Sequence, residues 1–410
     1  MRALFITHAF YPNHKSGGVY QRMLMFVDAL KEIEYIDMLF FVAEDIEISE
    51  QSVKKYEEIL RKKWHPGINL FLCRQSTEYL KRSKLHRKFR GIFDFQEQEI
   101  VAATSGREQL VAFESCLENN PDFILVNYLT STLPILKTKR KLPPILFDLN
   151  DIEHKKLISL INEPMSNPLT KLYNFQLDQL KKGECAVIKA VQKTFVCSSL
   201  DQRYLIDSLG LSNIEVIPNS TVLYKPQEII EQSSIIFVGS YGYLPNIKAA
   251  NYMVEQVFPL VRAVIPNAIL KIVGGTPENI PAYYQRNEGV EFTGFVDELT
   301  DLYLKSRVFC CPVFSGSGTR VKLLEAGAYG KPIVSTTLGA EGLGLINEYS
   351  FLEANTAEQL ANACIRLIRD DILCKKLSLN SYQLVQDNYQ RSHVVQTIKD
   401  QIKMTFRPSN

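Results

Sequence analysis

Residues 316–345 read GSGTRVKLLEAGAYGKPIVSTTLGAEGLGL, and they hold the densest set of groups able to do chemistry. Gly316, Ser317, Gly318 and Thr319 form a small-residue loop. Arg320 and Lys322 follow it, Glu325 stands one helical turn on, and a second glycine-rich turn contains Gly339 and Glu341. Free backbone amides entering a helix attract an anion, because the unpaired N–H groups and the helix dipole converge there. Two cations strengthen that attraction, whereas a carboxylate one turn in repels phosphate and suits sugar or ribose hydroxyls. The plainer reading is a βαβ unit with surface charges. Two further places draw notice. The string FDLNDIEH puts Asp148, Asp151, Glu153 and His154 at the carboxyl end of a predicted strand, where open α/β sheets hold their ligands. Acid/base work or hydroxyl recognition would use such groups, and capping of the next helix is the alternative. The pair Gly17 and Gly18 would let backbone approach a ligand, or merely turn the chain into a helix.

Positioning these groups takes strands and helices in alternation. Short apolar runs at 3–8, 36–42, 123–128, 143–148, 193–197 and 214–218 read as buried parallel strands. A second strand-first series begins at 235–238 with Gly239 after it and continues through 270–273, 290–292, 308–312 and 331–336. Pro245 and Asn246 stand at a helix start. Polar residues 220–234, with Pro226, read as a linker. The expected division is 1–222 for one doubly wound domain and 223–389 for the other, with a helix at about 390–410 packing back on the first.

The chain's 410 residues, 46% of them apolar, suit two cores, since one core stops growing near about 300 residues. A net charge of +2 excludes a general polyanion binder, so nucleic acid is not expected as a partner. Eight cysteines lack metal-ligand or CxxC spacing and read as reduced core thiols, which fits a cytosolic compartment. The opening MRALFITHAFYP is too short in apolar length for a secretion signal, and no run approaches the roughly 20 apolar residues of a membrane span. Residues 51–90 differ: Arg61, Lys62, Lys63, Lys81, Arg82, Lys84, Arg87, Lys88 and Arg90 interleave with Trp64, Tyr79, Leu80, Leu85 and Phe89. Such mixing suits an anionic membrane surface or a lipid-linked acceptor, with a solvated helix face as the alternative.

In order, IIFVGSYGYLPNIKAAN, ILKIVGG, GVEFTGFVDEL and SGSGTRVKLLEAGAYGKPIVSTTLGAEGL resemble the GT-B glycosyltransferases of the group 1 (GT4) type. The likeness is close over residues 235–343 and looser before them, through Gly17-Gly18, FDLNDIEH and VIPNS. It implies an α/β GT-B fold, two Rossmann-like doubly wound domains facing across a cleft. It also implies a nucleotide-diphosphate sugar donor held by the second domain and a glycan or lipid-linked acceptor on the first. Transfer would retain anomeric configuration without a metal or other cofactor. The implied setting is surface polysaccharide assembly, in the cytoplasm or at the inner face of the membrane.

Glu325 matches the second of the family's paired glutamates, which holds the donor ribose. The first falls on Ser317, a departure that removes the carboxylate usually facing the donor sugar. Arg320 and Lys322 then become the expected diphosphate clamp, with Gly318 and Thr319 supplying amides. Gly239, Asn246, Gly339 and Glu341 line the rest of the donor site. On the acceptor side Gly17 and Gly18 match the loop near the donor phosphate, while Asp148, Asp151 and His154 are alternatives for assisting acceptor deprotonation. A degenerate nucleotide-sugar-binding protein and a GT-B epimerase remain as other readings.

Overall fold

Unbroken apolar runs can be strands only if both sheet faces are covered, and that is what the chain builds twice. The structure, a computed structural model, describes residues 1–10, 17–78, 81, 83–161, 171–225, 232–285 and 287–406. It divides into two units, Met1–Pro218 with Val395–Asn410, and Asn219–Val394. Pro12, Asn13, Tyr79, Leu80, Arg82 and Pro226 lie outside the described residues.

The first unit contains β1 (Arg2–Thr7), β2 (Tyr35–Val42), β3 (Ile68–Arg74), β4 (Phe123–Asn127), β5 (Ile145–Asn150), β6 (Lys193–Val196) and β7 (Ile214–Val216). All pair in parallel in the order β3-β2-β1-β4-β5-β6-β7. Leu4, Ile6, Leu39, Phe41, Ile124, Val126 and Phe147 of this sheet are buried together with residues of the covering helices. The order reverses between β1 and β4, the switch point at which such sheets leave a crevice. Strand β3 was not foreseen. Its sequence, INLFLCR, is only half-buried at alternate positions and stands among cations, so charge masked a strand that closes the sheet edge beside β2.

Helix Arg391–Thr405 contributes Ile398 and Ile402 to buried positions in this unit. Lys399 pairs with Glu32 at 2.5 Å, Lys193 donates to Gln401 at 2.6 Å, and Phe406 meets the Phe123 ring edge-on at 5.5 Å.

The second unit contains β8 (Ser234–Val238), β9 (Ile269–Val273), β10 (Val290–Gly294), β11 (Val308–Cys311), β12 (Ile333–Ser335) and β13 (Leu352–Glu353), in the parallel order β10-β9-β8-β11-β12-β13. Its switch point falls between β8 and β11. On the other side of β8, the turns that follow β8 and β9 must come very close. Gly274 has φ +147°, and a Cβ on it would lie 1.7 Å from the Gly239 carbonyl oxygen. Gly274→Ala should therefore lower this unit's unfolding free energy by about 2 kcal/mol or more, read as a drop in thermal midpoint.

Residues 219–225 are fastened to this unit instead of spanning freely. Thr221 donates its amide to the Tyr389 carbonyl at 2.9 Å, Tyr224 donates to Ala328 at 3.1 Å, and the Tyr224 and Tyr329 rings stack at 3.9 Å.

Candidate functional site

The glycine-serine loop after β11 leads into helix Val321–Ala328. Gly316 and Gly318 take positive φ (+105° and +73°), a backbone course that favours glycine. That course folds the loop back so that Arg320 Nη1 donates to the carbonyls of Ser317, at 2.8 Å, and Gly318. Arg320 is thereby aimed by its own loop. Its Nη2 and the hydroxyl of Ser317 are buried and have no hydrogen-bonding partner among the described residues, as is the hydroxyl of Ser220. Ser220 adjoins Asn219, whose amide donates to Thr319 Oγ1 at 2.8 Å. Buried polar atoms are normally paired, so an orphaned guanidinium nitrogen beside an orphaned hydroxyl marks a place for an acceptor-rich ligand.

Lys322 donates to Asn246 Oδ1 at 2.7 Å and stands over the Phe237 ring at 4.5 Å. Asn246 in turn donates to the Ser240 carbonyl at 3.0 Å and lies against Gly239, where a Cβ would come 3.1 Å from Asn246 Cγ. The ends of β8 and β11 thus meet across the switch point. Burial pulls the Lys322 ammonium down to about 8, with Arg320 adding to the fall and Cys311 and Glu325 opposing it. Burial likewise pushes the Glu325 carboxyl up to about 7, against Lys322. Neither charge is fully compensated within the protein. Each would gain from a ligand: Lys322 from an anion, Glu325 from hydroxyl donors.

The second glycine turn is tied in from β12. Thr336 Oγ1 donates to the Val313 carbonyl at 2.5 Å and accepts from the Gly339 amide at 2.9 Å, so Gly339 is anchored beside the end of β11. Glu341 is exposed two residues on. Gly239, Asn246, Gly316, Ser317, Gly318, Thr319, Arg320 and Lys322 are joined by these contacts, and Glu325 acts on Lys322 electrostatically.

The first unit treats its candidates differently. Asp148 is fully buried, its carboxylate taking Arg22 Nε at 3.0 Å, Arg22 Nη2 at 2.5 Å and the Asn127 amide at 2.5 Å. Arg22 also donates to the Ile217 carbonyl at 3.0 Å. Burial works against the Arg22 charge, but Asp148, Cys197 and Tyr128 outweigh it and the guanidinium is held charged. Both Asp148 oxygens are occupied, which suits a structural anchor better than a free base. His154 is buried and has both ring nitrogens engaged, Nδ1 with Glu184 Oε2 and Nε2 with the Tyr204 hydroxyl at 2.8 Å. Glu184 also accepts from the Glu153 amide at 2.9 Å, capping helix Glu153–Ile161. Asp151 is half-buried just after β5. Gly17, at φ +117°, and Gly18 start helix Gly18–Leu30 and are exposed, with nothing within 4 Å of a Gly17 Cβ.

Arg22, Glu184 and Tyr204 escaped the sequence reading, as did His8 and Tyr128. His8 follows β1 and Tyr128 follows β4, at the switch point, their rings edge-to-face at 5.0 Å. Burial, then Lys156, pulls the His8 imidazole down to about 4, so it is neutral at pH 7, and its Nδ1 is buried without a partner among the described residues. Tyr128 takes φ +66° and donates its hydroxyl to the Val19 carbonyl at 3.0 Å. A positive φ at a non-glycine residue was the one feature invisible in composition; a histidine closing an apolar strand could have been noticed. Among the described residues no three His, Cys, Asp or Glu side chains form a metal-holding cluster.

Two parallel Rossmann-like sheets, of seven and six strands, make this a GT-B protein. The architecture is similar to that of sucrose-phosphate synthase from Thermosynechococcus elongatus, with a TM-score of 0.72 at 17% identity over 99% of both chains. It is also similar to a variant of S. aureus TarM in complex with Fondaparinux, alpha-GlcNAc-glycerol and UDP (TM-score 0.66, 12% identity, 99% and 100% covered). Anabaena HepE in complex with UDP and glucose gives a TM-score of 0.61 at 14% identity over 98% and 100% of the two chains. Residues 232–370, within the second unit, match the family model described as glycosyl transferases group 1. An uncharacterized 44.6 kDa protein in the cps region of Klebsiella pneumoniae is 25% identical over 177 residues. That match takes in 41% of this chain and 46% of the relative, so the chain spans about half the length of the curated relative it matches.

Proposed function

We propose that the chain transfers a sugar from a nucleoside-diphosphate sugar to a glycan or lipid-linked acceptor, with retention of anomeric configuration and without a metal. The observation that carries this reading is the unpaired Arg320 Nη2 and Ser317 hydroxyl beside half-compensated Lys322, at the start of helix Val321–Ala328. A departing nucleoside diphosphate gains negative charge in the transition state, and cations fixed before the reaction begins stabilise that state differentially. Glu325, one turn in, takes the ribose hydroxyls. Ser317 contributes a hydroxyl to the donor where the family has a carboxylate. Gly239, Asn246, Gly339 and Glu341 line the remainder of the donor site.

On the first unit, Gly17 and Gly18 present exposed backbone for the acceptor side, and Asp151 is the residue we assign to acceptor deprotonation. Asp148 ties the end of β5 to β4 and to helix Gly18–Leu30, and His154 ties helix Glu153–Ile161 to Glu184 and Tyr204. His8 offers a neutral imidazole nitrogen at the switch point for an acceptor hydroxyl. The relative in the cps region supports surface polysaccharide assembly as the setting.

A second reading, a protein that binds nucleotide sugar without turnover, draws on the serine at position 317. Incubation with a panel of nucleotide sugars, following nucleoside diphosphate release, separates the two. Release that rises on adding an acceptor glycan is expected for the transferase. Binding of a nucleotide with no release from any donor would favour the second reading.

A further inference from the structure

Helix Lys84–Phe93 is mounted with its apolar face outward. Its docked side is Gly91, which is buried, and a Cβ there would lie 2.7 Å from Gln176 Nε2. Gln98 Nε2 donates to the Gly91 carbonyl at 2.7 Å and to the Gln176 carbonyl at 2.9 Å, and Gln176 donates to the Lys88 carbonyl. The attachment is therefore made through a missing side chain and backbone carbonyls. Leu85, Phe89 and Phe93, at successive i, i+4 spacing, share the opposite stripe and are 59%, 58% and 67% exposed. The two phenylalanines touch only edge-on, at 5.2 Å. Phe175, beside Gln176 on the helix Lys171–Ala190 that receives this one, is 63% exposed as well.

A surface helix ordinarily turns its apolar stripe to the core, so a reversed one needs an apolar medium to face. Charge selects which medium. Residues 79–93 contain six Lys and Arg and no Asp or Glu. Lys81 and His86 are exposed, Arg90 is shared with Glu97 at 2.7 Å, and Lys88 lies over the Tyr173 ring at 3.8 Å. An outward Leu/Phe stripe rimmed by cations has the chemistry of a helix lying in the plane of an anionic bilayer, rings among the acyl chains and cations at the phosphates. No helix among the described residues is long and apolar enough to cross a membrane.

We propose that Leu85, Phe89 and Phe93 insert into the headgroup boundary of a bilayer containing anionic lipid. This assignment stands apart from the transferase reading, since attachment requires no turnover.

The test is co-sedimentation of the full chain with vesicles of phosphatidylcholine alone or mixed with phosphatidylglycerol. Binding to the mixed vesicles is expected, falling with added salt as the cations are screened, and weakening roughly tenfold in Phe89→Ser/Phe93→Ser. Both rings are exposed, so the melting temperature should not change in that variant. In Phe93→Trp, the added indole should emit further to the blue with mixed vesicles than without. Equal pelleting of parent and double-serine variant, or no blue shift, would overturn the proposal. So would a dimer in sedimentation velocity that the double-serine variant dissolves, since the stripe would then be a protein interface. Nucleotide binding, measured without lipid, fails or succeeds independently.

Discussion

Glu325→Ala should weaken binding of the donor's nucleoside diphosphate about a hundredfold, the worth of two hydrogen bonds to a charged group. Titration calorimetry checks this. The same position should show the opposite sign in stability. Burial raises the Glu325 carboxyl to about 7 from an ordinary 4.5, so the unfolded chain ionises first as pH rises. The stability linked to this group is fully present below 4.5 and is lost as pH climbs through 7. Glu325→Gln should remove that dependence and stabilise the ligand-free protein at pH 8 by on the order of 1 to 2 kcal/mol, discounted for partial exposure. A ligand that needs the ionised carboxylate must expel its proton below pH 7, so parent affinity should fall by up to about tenfold per pH unit there. Unchanged affinity in the alanine variant, or a flat pH profile, would remove Glu325 from the donor site.

Asp148→Ala should cost about 4 kcal/mol of unfolding free energy, because it leaves the buried Arg22 guanidinium without its carboxylate. Replacing both partners with apolar groups, Arg22→Met with Asp148→Leu, should cost much less than the single change. Denaturant titration of the two singles and the double completes the cycle. The contrasting outcome is equally definite. If Asp148→Ala keeps its stability within about 1 kcal/mol while turnover disappears, the carboxylate belongs to the chemistry and the anchor reading fails.

Much of this was legible in the chain. Continuous runs such as 3–8 and 123–128 can satisfy burial only as interior parallel strands, and the spacing of Lys322 and Glu325 puts both on one side of a helix. What escaped depended on distance along the chain. Asp148 looked available because its partner Arg22 is 126 residues away, and His154 looked available because Glu184 and Tyr204 reach it from other helices. An arginine among Tyr20, Met23, Phe26 and Val27 on one helix was nonetheless a signal, since a buried cation requires a carboxylate somewhere. Strand β3 failed for a different reason: an edge strand is only half covered, so its pattern is weaker than that of β1 or β2.

The closing helix Arg391–Thr405 carries a consequence for synthesis. The first unit acquires Ile398, Ile402 and Phe406 only after all of Asn219–Val394 has left the ribosome. During translation its seven-stranded sheet must wait, with Phe123 and neighbouring apolar surface open to water or a chaperone, while the second unit can finish first. Stopping synthesis after residue 394 should thus leave a folded second unit joined to a protease-sensitive first one, an order of completion opposite to the order of translation.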